Sequence, residues 1–244
     1  MTAARYHSMP DGRRIAFRHT PGAGPAIVFL PGYKSDMAGS KATALFAWAE
    51  AQGRECLLFD YSGCGESDGR FAEGTLARWA EEALALIGAY LAGPVVLVGS
   101  SMGGWLMLLV GRALGPRLAG LVGVAAAPDF TEWGYSQDQK TRLAAGETVF
   151  EDNPYGPEPT PTHPAFWADG QDHRLLGGGE IALDCPVRLL HGQEDGEVPP
   201  EISLRLARAL RSQDVQVTLV KGGDHRLSRD GDIALLLRTV AALA

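Results

Sequence analysis

Cysteine is scarce in this chain of 244 residues, and the three present, Cys56, Cys64 and Cys185, form neither an even set nor a CxxC pair. A disulfide framework and a thiolate-rich metal site are therefore excluded as the basis of the fold, and free thiols are expected. Cys56 and Cys185 border apolar runs and read as small core residues, whereas Cys64 lies in a glycine-rich turn that leaves room for an exposed thiol. Basic charge is also in deficit, with 22 Lys and Arg against 29 Asp and Glu and a net charge of −7. Nucleic acid and anionic membrane surfaces require clustered cations, so neither is an expected partner. No apolar run reaches the roughly eighteen residues of a membrane span, and Met1–Arg14 lacks the apolar centre of a secretory signal. No stable membrane insertion is expected, and a cytoplasmic location is the default. Without a metal-ligand cluster or a GK[ST] phosphate loop, no metal and no cofactor are expected.

With 45% apolar and 21% charged residues, the chain has the composition of a globular protein with one sizeable core, and residues 1–244 are read as one domain. Apolar runs suited to buried strands alternate with segments of helical period. That alternation predicts an α/β fold with a mostly parallel central sheet flanked by helices. After a β-ribbon whose second arm is Arg14–His19, the expected strands are Ala26–Leu30, Glu55–Asp60, Val95–Gly99, Leu118–Ala125, Val187–Gly192 and Val215–Val220. Leu76, Trp79, Ala80, Ala83, Leu84, Ile87 and Leu91 form the apolar stripe of one helix, and Pro199–Pro200 and Asp230 mark the starts of the last two. Only Asp129–Asp184 breaks the rhythm. It is rich in proline, glycine and aromatics (Trp133, Tyr135, Phe150, Tyr155, Phe166, Trp167), and a structureless loop of that length is improbable, so it reads as an inserted lid carrying short helices.

The chemistry centres on Gly99-Ser100-Ser101-Met102-Gly103, a G-x-S-x-G motif between a buried-strand run and the apolar helix candidate Trp105–Val110. In that setting Ser101 sits on a sharp strand-to-helix turn and is the candidate nucleophile. A serine hydroxyl needs a base within hydrogen-bond reach and an acid to orient that base. Asp195, just beyond Leu189–Gly192, and His225, after Gly222-Gly223-Asp224, supply them. The order Ser101, Asp195, His225 is that of the α/β-hydrolase fold. Among the other histidines, His191 falls inside an apolar strand and reads as a core residue, and His163 and His173 lie in the lid. Glu194, Glu197 and Asp184 are the neighbouring acids. Backbone N–H groups of Met102 and of Tyr33, after the tight turn Pro31-Gly32, are the expected oxyanion donors. Lys34, Ser35 and Asp36 organise that turn, and Asp60–Gly69 reads as a tight loop at the site's rim.

Beyond these motifs, FLPGYKSDMAGSKA (Phe29–Ala42), FDYSGCGESDG (Phe59–Gly69), VGSSMGGWLML (Val98–Leu108), CPVRLLHGQEDGEVP (Cys185–Pro199) and DHRLSRDGDI (Asp224–Ile233) resemble the family of α/β-hydrolase domain-containing protein ten. The resemblance covers about Phe29 to Ile233, and the stretch Pro154–Pro161 departs from it. It implies a serine hydrolase that cleaves carboxylic esters or thioesters through an acyl-enzyme, long-chain acyl thioesters among them, with a small molecule or an acylated protein as substrate. Trp133, Phe166 and Trp167 are the expected covers of an apolar acyl group. Amide or peptide hydrolysis or acyl transfer on the same three residues remains an alternative, as does a ligand-binding protein of low turnover.

Overall fold

A computed structural model describes residues 3–154 and 156–244; Tyr155 lies outside them. The chain begins with β1 (Arg5–Ser8), β2 (Arg14–Thr20) and β3 (Ala23–Leu30), then α1 (Ser40–Gln52), β4 (Arg54–Phe59), α2 (Leu76–Tyr90), β5 (Val95–Ser100), α3 (Met102–Leu114) and β6 (Leu118–Val124). Between β6 and the next sheet strand come α4 (Phe130–Trp133), α5 (Gln137–Ala144), the antiparallel pair β7 (Val149–Glu151) and β8 (Thr160–Thr162), and α6 (Pro164–Asp172). The chain ends β9 (Val187–Gly192), α7 (Glu201–Ala209), β10 (Val215–Val220), α8 (Asp230–Ala241).

The eight-stranded sheet has the order β1-β2-β4-β3-β5-β6-β9-β10. It is parallel from β4 to β10, and only the β1–β2 ribbon and its junction with β4 are antiparallel. Strand alternation divides the core into two layers. Ala26, Val28 and Leu30 of β3 pack with α2, α3 and α7, while Ile27 and Phe29 pack with α1 and α8. Every expected strand is present, shifted by at most a few residues at its ends.

Helix α2 starts at Thr75, whose side chain accepts the Arg78 N–H, and it buries Leu76, Trp79, Ala83 and Ile87 of the expected stripe. It also buries Glu82, which the apolar pattern does not include. Glu82 accepts the Ser62 N–H at 2.9 Å and the Arg13 guanidinium, so its charge is compensated.

The segment between β6 and β9 is pinned at its neck by Asp129, whose two carboxylate oxygens accept the N–H groups of Leu175 and Leu176 at 2.8 and 2.7 Å. The Trp105 indole of α3 donates to the His173 carbonyl and holds the same neck down onto α3. Among the described residues, no helix is long and apolar enough to cross a membrane.

Candidate active site

Ser101 has φ 53° and ψ −118°, a conformation that a side chain adopts only under strain of roughly 1–3 kcal/mol. Three backbone hydrogen bonds hold it. Its N–H donates to the Val124 carbonyl at 2.9 Å, and its carbonyl accepts from Gly104 at 2.8 Å and Ala127 at 3.0 Å. The glycines of the motif make this turn fit. A Cβ on Gly99 would stand 2.2 Å from the Gly103 carbonyl oxygen, and one on Gly103 would stand 1.9 Å from that of Leu30. Because the obstacle is backbone, relief requires moving β3 or α3. Gly103→Ala is therefore expected to lower stability by about 3 kcal/mol, read from urea unfolding; a loss under about 0.5 kcal/mol would show that this close approach is not a constraint.

Asp195 and His225 are brought together by a second close backbone contact. Gly192 ends β9 against Gly223 in the loop after β10, where a Cβ on Gly192 would lie 2.2 Å from the Gly223 carbonyl oxygen. The Glu194 N–H donates to the same carbonyl at 2.8 Å. Beyond this junction His225 Nδ1 lies 2.9 Å from Asp195 Oδ2, and its Nε2 lies 3.1 Å from Ser101 Oγ. The Asp195 side chain is wholly buried. Its Oδ1 accepts the N–H groups of Glu197 and Val198, both at 2.9 Å. Burial pushes this carboxyl up, but hydrogen bonds from His191 and His225 outweigh it and hold the group well below the usual carboxylate range. The exposed Glu194 takes no part in these contacts, and Glu197 reaches only to 3.8 Å from His225 Nε2.

The turn after β3 passes directly over Ser101: a Cβ on Gly32 would lie 3.4 Å from the Ser100 carbonyl oxygen and 3.5 Å from Ser101 Cβ. Its shape is set by the Ser35 N–H, which donates to the Gly32 carbonyl at 3.1 Å, and by Lys34 at φ 54°. Among the described residues, no acceptor takes the N–H of Tyr33 or of Met102, the first residue of α3. The Tyr33 ring points into an aromatic cluster, 5.0 Å from Phe71 and 4.7 Å from Phe166, and its hydroxyl donates to the Pro161 carbonyl.

A residue not singled out from the sequence supports the turn from below. Asp60, 1% exposed, accepts the Met37 N–H on one oxygen at 2.7 Å and the Glu66 N–H on the other at 2.8 Å. It thereby ties the turn to the Asp60–Gly69 loop. Burial raises its carboxyl, and these two donors oppose the rise. A buried acid at the head of a Gly-rich loop was the available signal, but its partners lie 23 residues upstream and 6 downstream.

A cavity of about 730 Å³ opens over Ser101 and His225, and Tyr33, Phe130, Trp133, Glu151 and Val198 contribute to its wall. Of the three expected acyl-covering aromatics, only Trp133 reaches it. Phe166 is 1% exposed within the cluster of Tyr33, Trp79 and Phe130, and Trp167 packs against Tyr135, Leu143 and Val149 with its indole donating to the Thr131 carbonyl. Phe166 thus joins the segment between β6 and β9 to the core, and Trp167 packs within that segment. Cys64 does not take the exposed position that its turn left room for. It is buried beside Asp60, and burial pushes the thiol to about 12. Among the described residues, no group of three or more His, Cys, Asp or Glu stands where it could hold a metal.

Residues 27–236 match the alpha/beta hydrolase family. Palmitoyl-protein thioesterase ABHD10, mitochondrial, from Homo sapiens is 36% identical over 242 residues, covering 98% of this chain and 79% of its own length. The Mus musculus protein of that name is 38% identical over 230 residues, covering 93% and 77%. The solved structure of mouse alpha/beta hydrolase domain-containing protein 10 superposes with a TM-score of 0.91 at 34% identity, covering 99% of this chain and 98% of that one. A crystal structure from Agrobacterium vitis S4 does so with a TM-score of 0.91 at 37% identity, covering 99% of both chains.

Proposed function

This chain belongs to the alpha/beta hydrolase family, and from that premise we propose that it hydrolyses acyl thioesters or oxyesters through a covalent acyl-enzyme on Ser101. The observation that carries the reading is the unbroken chain of hydrogen bonds from Ser101 Oγ through both ring nitrogens of His225 to a buried carboxylate, at the floor of an open cavity.

Ser101 Oγ attacks the acyl carbonyl carbon as its proton passes to His225 Nε2. Asp195 keeps the Nδ1–H tautomer in place and stabilises the imidazolium. The carbonyl oxygen gains the negative charge and is met by the N–H groups of Tyr33 and Met102, which need no reorganisation because both are held by rigid backbone. Collapse of the tetrahedral intermediate breaks the bond to the thiol or alcohol, which leaves with the proton from Nε2. Water, deprotonated by the same nitrogen, then attacks the acyl-enzyme and releases the carboxylic acid together with Ser101.

The segment 129–184 serves as the lid of a single hydrolase domain. Phe130, Trp133 and Tyr135 near its start and Glu151, Thr160 and Thr162 of its β7–β8 pair all border the cavity, so it decides which acyl and leaving groups fit. The relatives are named as palmitoyl-protein thioesterases, which supports a long acyl group on a protein thiol as one substrate class. They are also named as mitochondrial, so they lend no support to the expected cytoplasmic location.

A series from acetyl to palmitoyl, in matched p-nitrophenyl ester and thioester forms, tests the substrate. Each methylene buried in a groove contributes about 0.8 kcal/mol, or roughly fourfold, so kcat/KM is expected to climb with chain length until the groove is full. A monotonic fall beyond butyryl would eliminate long-chain substrates and leave a small-ester hydrolase.

A further inference from the structure

The proposed reaction uses one histidine, yet a second shares the same carboxylate. His191, the penultimate residue of β9, is 0% exposed, and its Nε2 lies 2.9 Å from the Val198 carbonyl oxygen and 3.2 Å from Asp195 Oδ2. Neither oxygen has a hydrogen to give, so Nε2 carries the proton; it donates to the Val198 carbonyl, with Asp195 Oδ2 as a second, longer contact. On the other side of the ring, Nδ1 lies 2.7 Å from the hydroxyl of Ser203, itself fully buried on α7. With the proton on Nε2, a neutral ring accepts the Ser203 hydrogen at Nδ1. Every polar atom of the ring is then satisfied in one tautomer.

The consequence falls on Asp195. Its Oδ1 takes two backbone N–H groups, and its Oδ2 takes two imidazoles, His225 from the reacting side and His191 from the core side. Three hydrogen bonds and the longer His191 contact on one buried carboxylate leave it a single orientation, and they offset the cost of burying the charge. The His191 hydrogen bond opposes the upward push of burial on this carboxyl together with that of His225.

We propose that His191 is a positioning residue: its Nε2–H, on a ring held at Nδ1 by Ser203, holds the Asp195 carboxylate in the orientation in which it meets His225. The apolar run around His191 explains why the ring is buried. It does not explain why both nitrogens are engaged, one of them on the acid.

A merely structural role, tying β9 to α7, would weaken the protein equally whether or not residue 195 carries a charge. A positioning role acts only through that charge, so a double-mutant cycle separates the two. His191→Phe keeps the ring and removes both hydrogen bonds, and His191→Gln keeps a donor. With a p-nitrophenyl ester, H191F is expected to lose on the order of 10- to 100-fold in kcat/KM, mainly in kcat, the range seen for outer-shell partners of functional histidines. H191Q should recover most of that loss. In the Asp195→Asn background, H191F should change the residual rate by less than about twofold.

An H191F protein within twofold of wild type, or an equal loss in both backgrounds, would overturn the assignment. Should H191F not fold, Ser203→Ala removes only the hydroxyl that holds the ring at Nδ1. A several-fold loss confined to the Asp195 background is then expected, and an equal or absent loss overturns the proposal. The inference rests on the roles proposed for Ser101, Asp195 and His225, and the same cycle keeps the two apart. Near-normal activity of Asp195→Asn alone would remove both readings, whereas a crippled Asp195→Asn with an additive H191F removes only this one.

Discussion

Ser101→Ala is expected to abolish covalent labelling by a fluorophosphonate and to lower ester hydrolysis by about 10⁴- to 10⁶-fold, with the protein still folded. The size of the effect follows from geometry. Among the described residues, Ser101 alone places a hydroxyl 3.1 Å from His225 Nε2, whereas Ser100, the last residue of β5, is buried. The substitution also removes none of the three backbone bonds that hold the turn, since all run through the Ser101 N–H and carbonyl. Stability should therefore change little, and a thermal melt within a few degrees of wild type is part of the expected result. Stoichiometric labelling retained by the folded variant would remove Ser101 from the role of nucleophile.

His225→Ala and Asp195→Asn are expected to cost roughly 10⁴-fold or more in kcat, while Glu194→Gln should stay within a few-fold of wild type. The two neighbouring acids differ in where they sit. Glu194 is exposed, and its backbone, not its carboxylate, bonds to the Gly223 carbonyl; Asp195 is wholly buried and bound to His225. A dead Glu194→Gln beside a near-normal Asp195→Asn would move the acid by one position. The Asp195 substitution carries a second signature, in stability against pH. The carboxyl is held below its unfolded value of about 3.9. Its contribution is thus complete above that value and is lost as pH falls through the lower folded one. On acidification below about pH 4, the wild type should lose more stability in urea unfolding than Asp195→Asn does. Parallel curves for the two proteins would show that the carboxylate is not stabilised in the fold.

Why the three candidate reacting residues were legible while much of their support was not can be traced residue by residue. Ser101 was marked by glycines whose need is local, because the turn they permit lies within five residues. Asp195 and His225 were marked by their position just past strand ends, where a parallel sheet gathers its loops at one edge. Phe166 and Trp167 lie away from the cavity wall expected of them, because an aromatic in a proline-rich segment carries no periodic signal to separate its core face from its open face. Asp60, Glu82 and His191 are buried polar groups, and composition along the chain says nothing of the donors that make such burial tolerable. Their partners lie on other elements: Met37 for Asp60, Arg13 and Ser62 for Glu82, Ser203 for His191.

By itself, then, the sequence determined the strands and helices of the sheet core, the turn at Ser101 and the order of the candidate reacting groups. Each of these depends on interactions between near neighbours or on the period of burial. Tertiary structure alone decided which aromatics face the cavity, that Cys64 is buried, and that Asp195 receives two histidines. Those outcomes depend on contacts between elements that are distant in the chain. Their distances are set by sheet order and by close backbone approaches such as that of Gly192 to Gly223, and a one-dimensional pattern of polarity records that a side chain is buried but not what it is buried against.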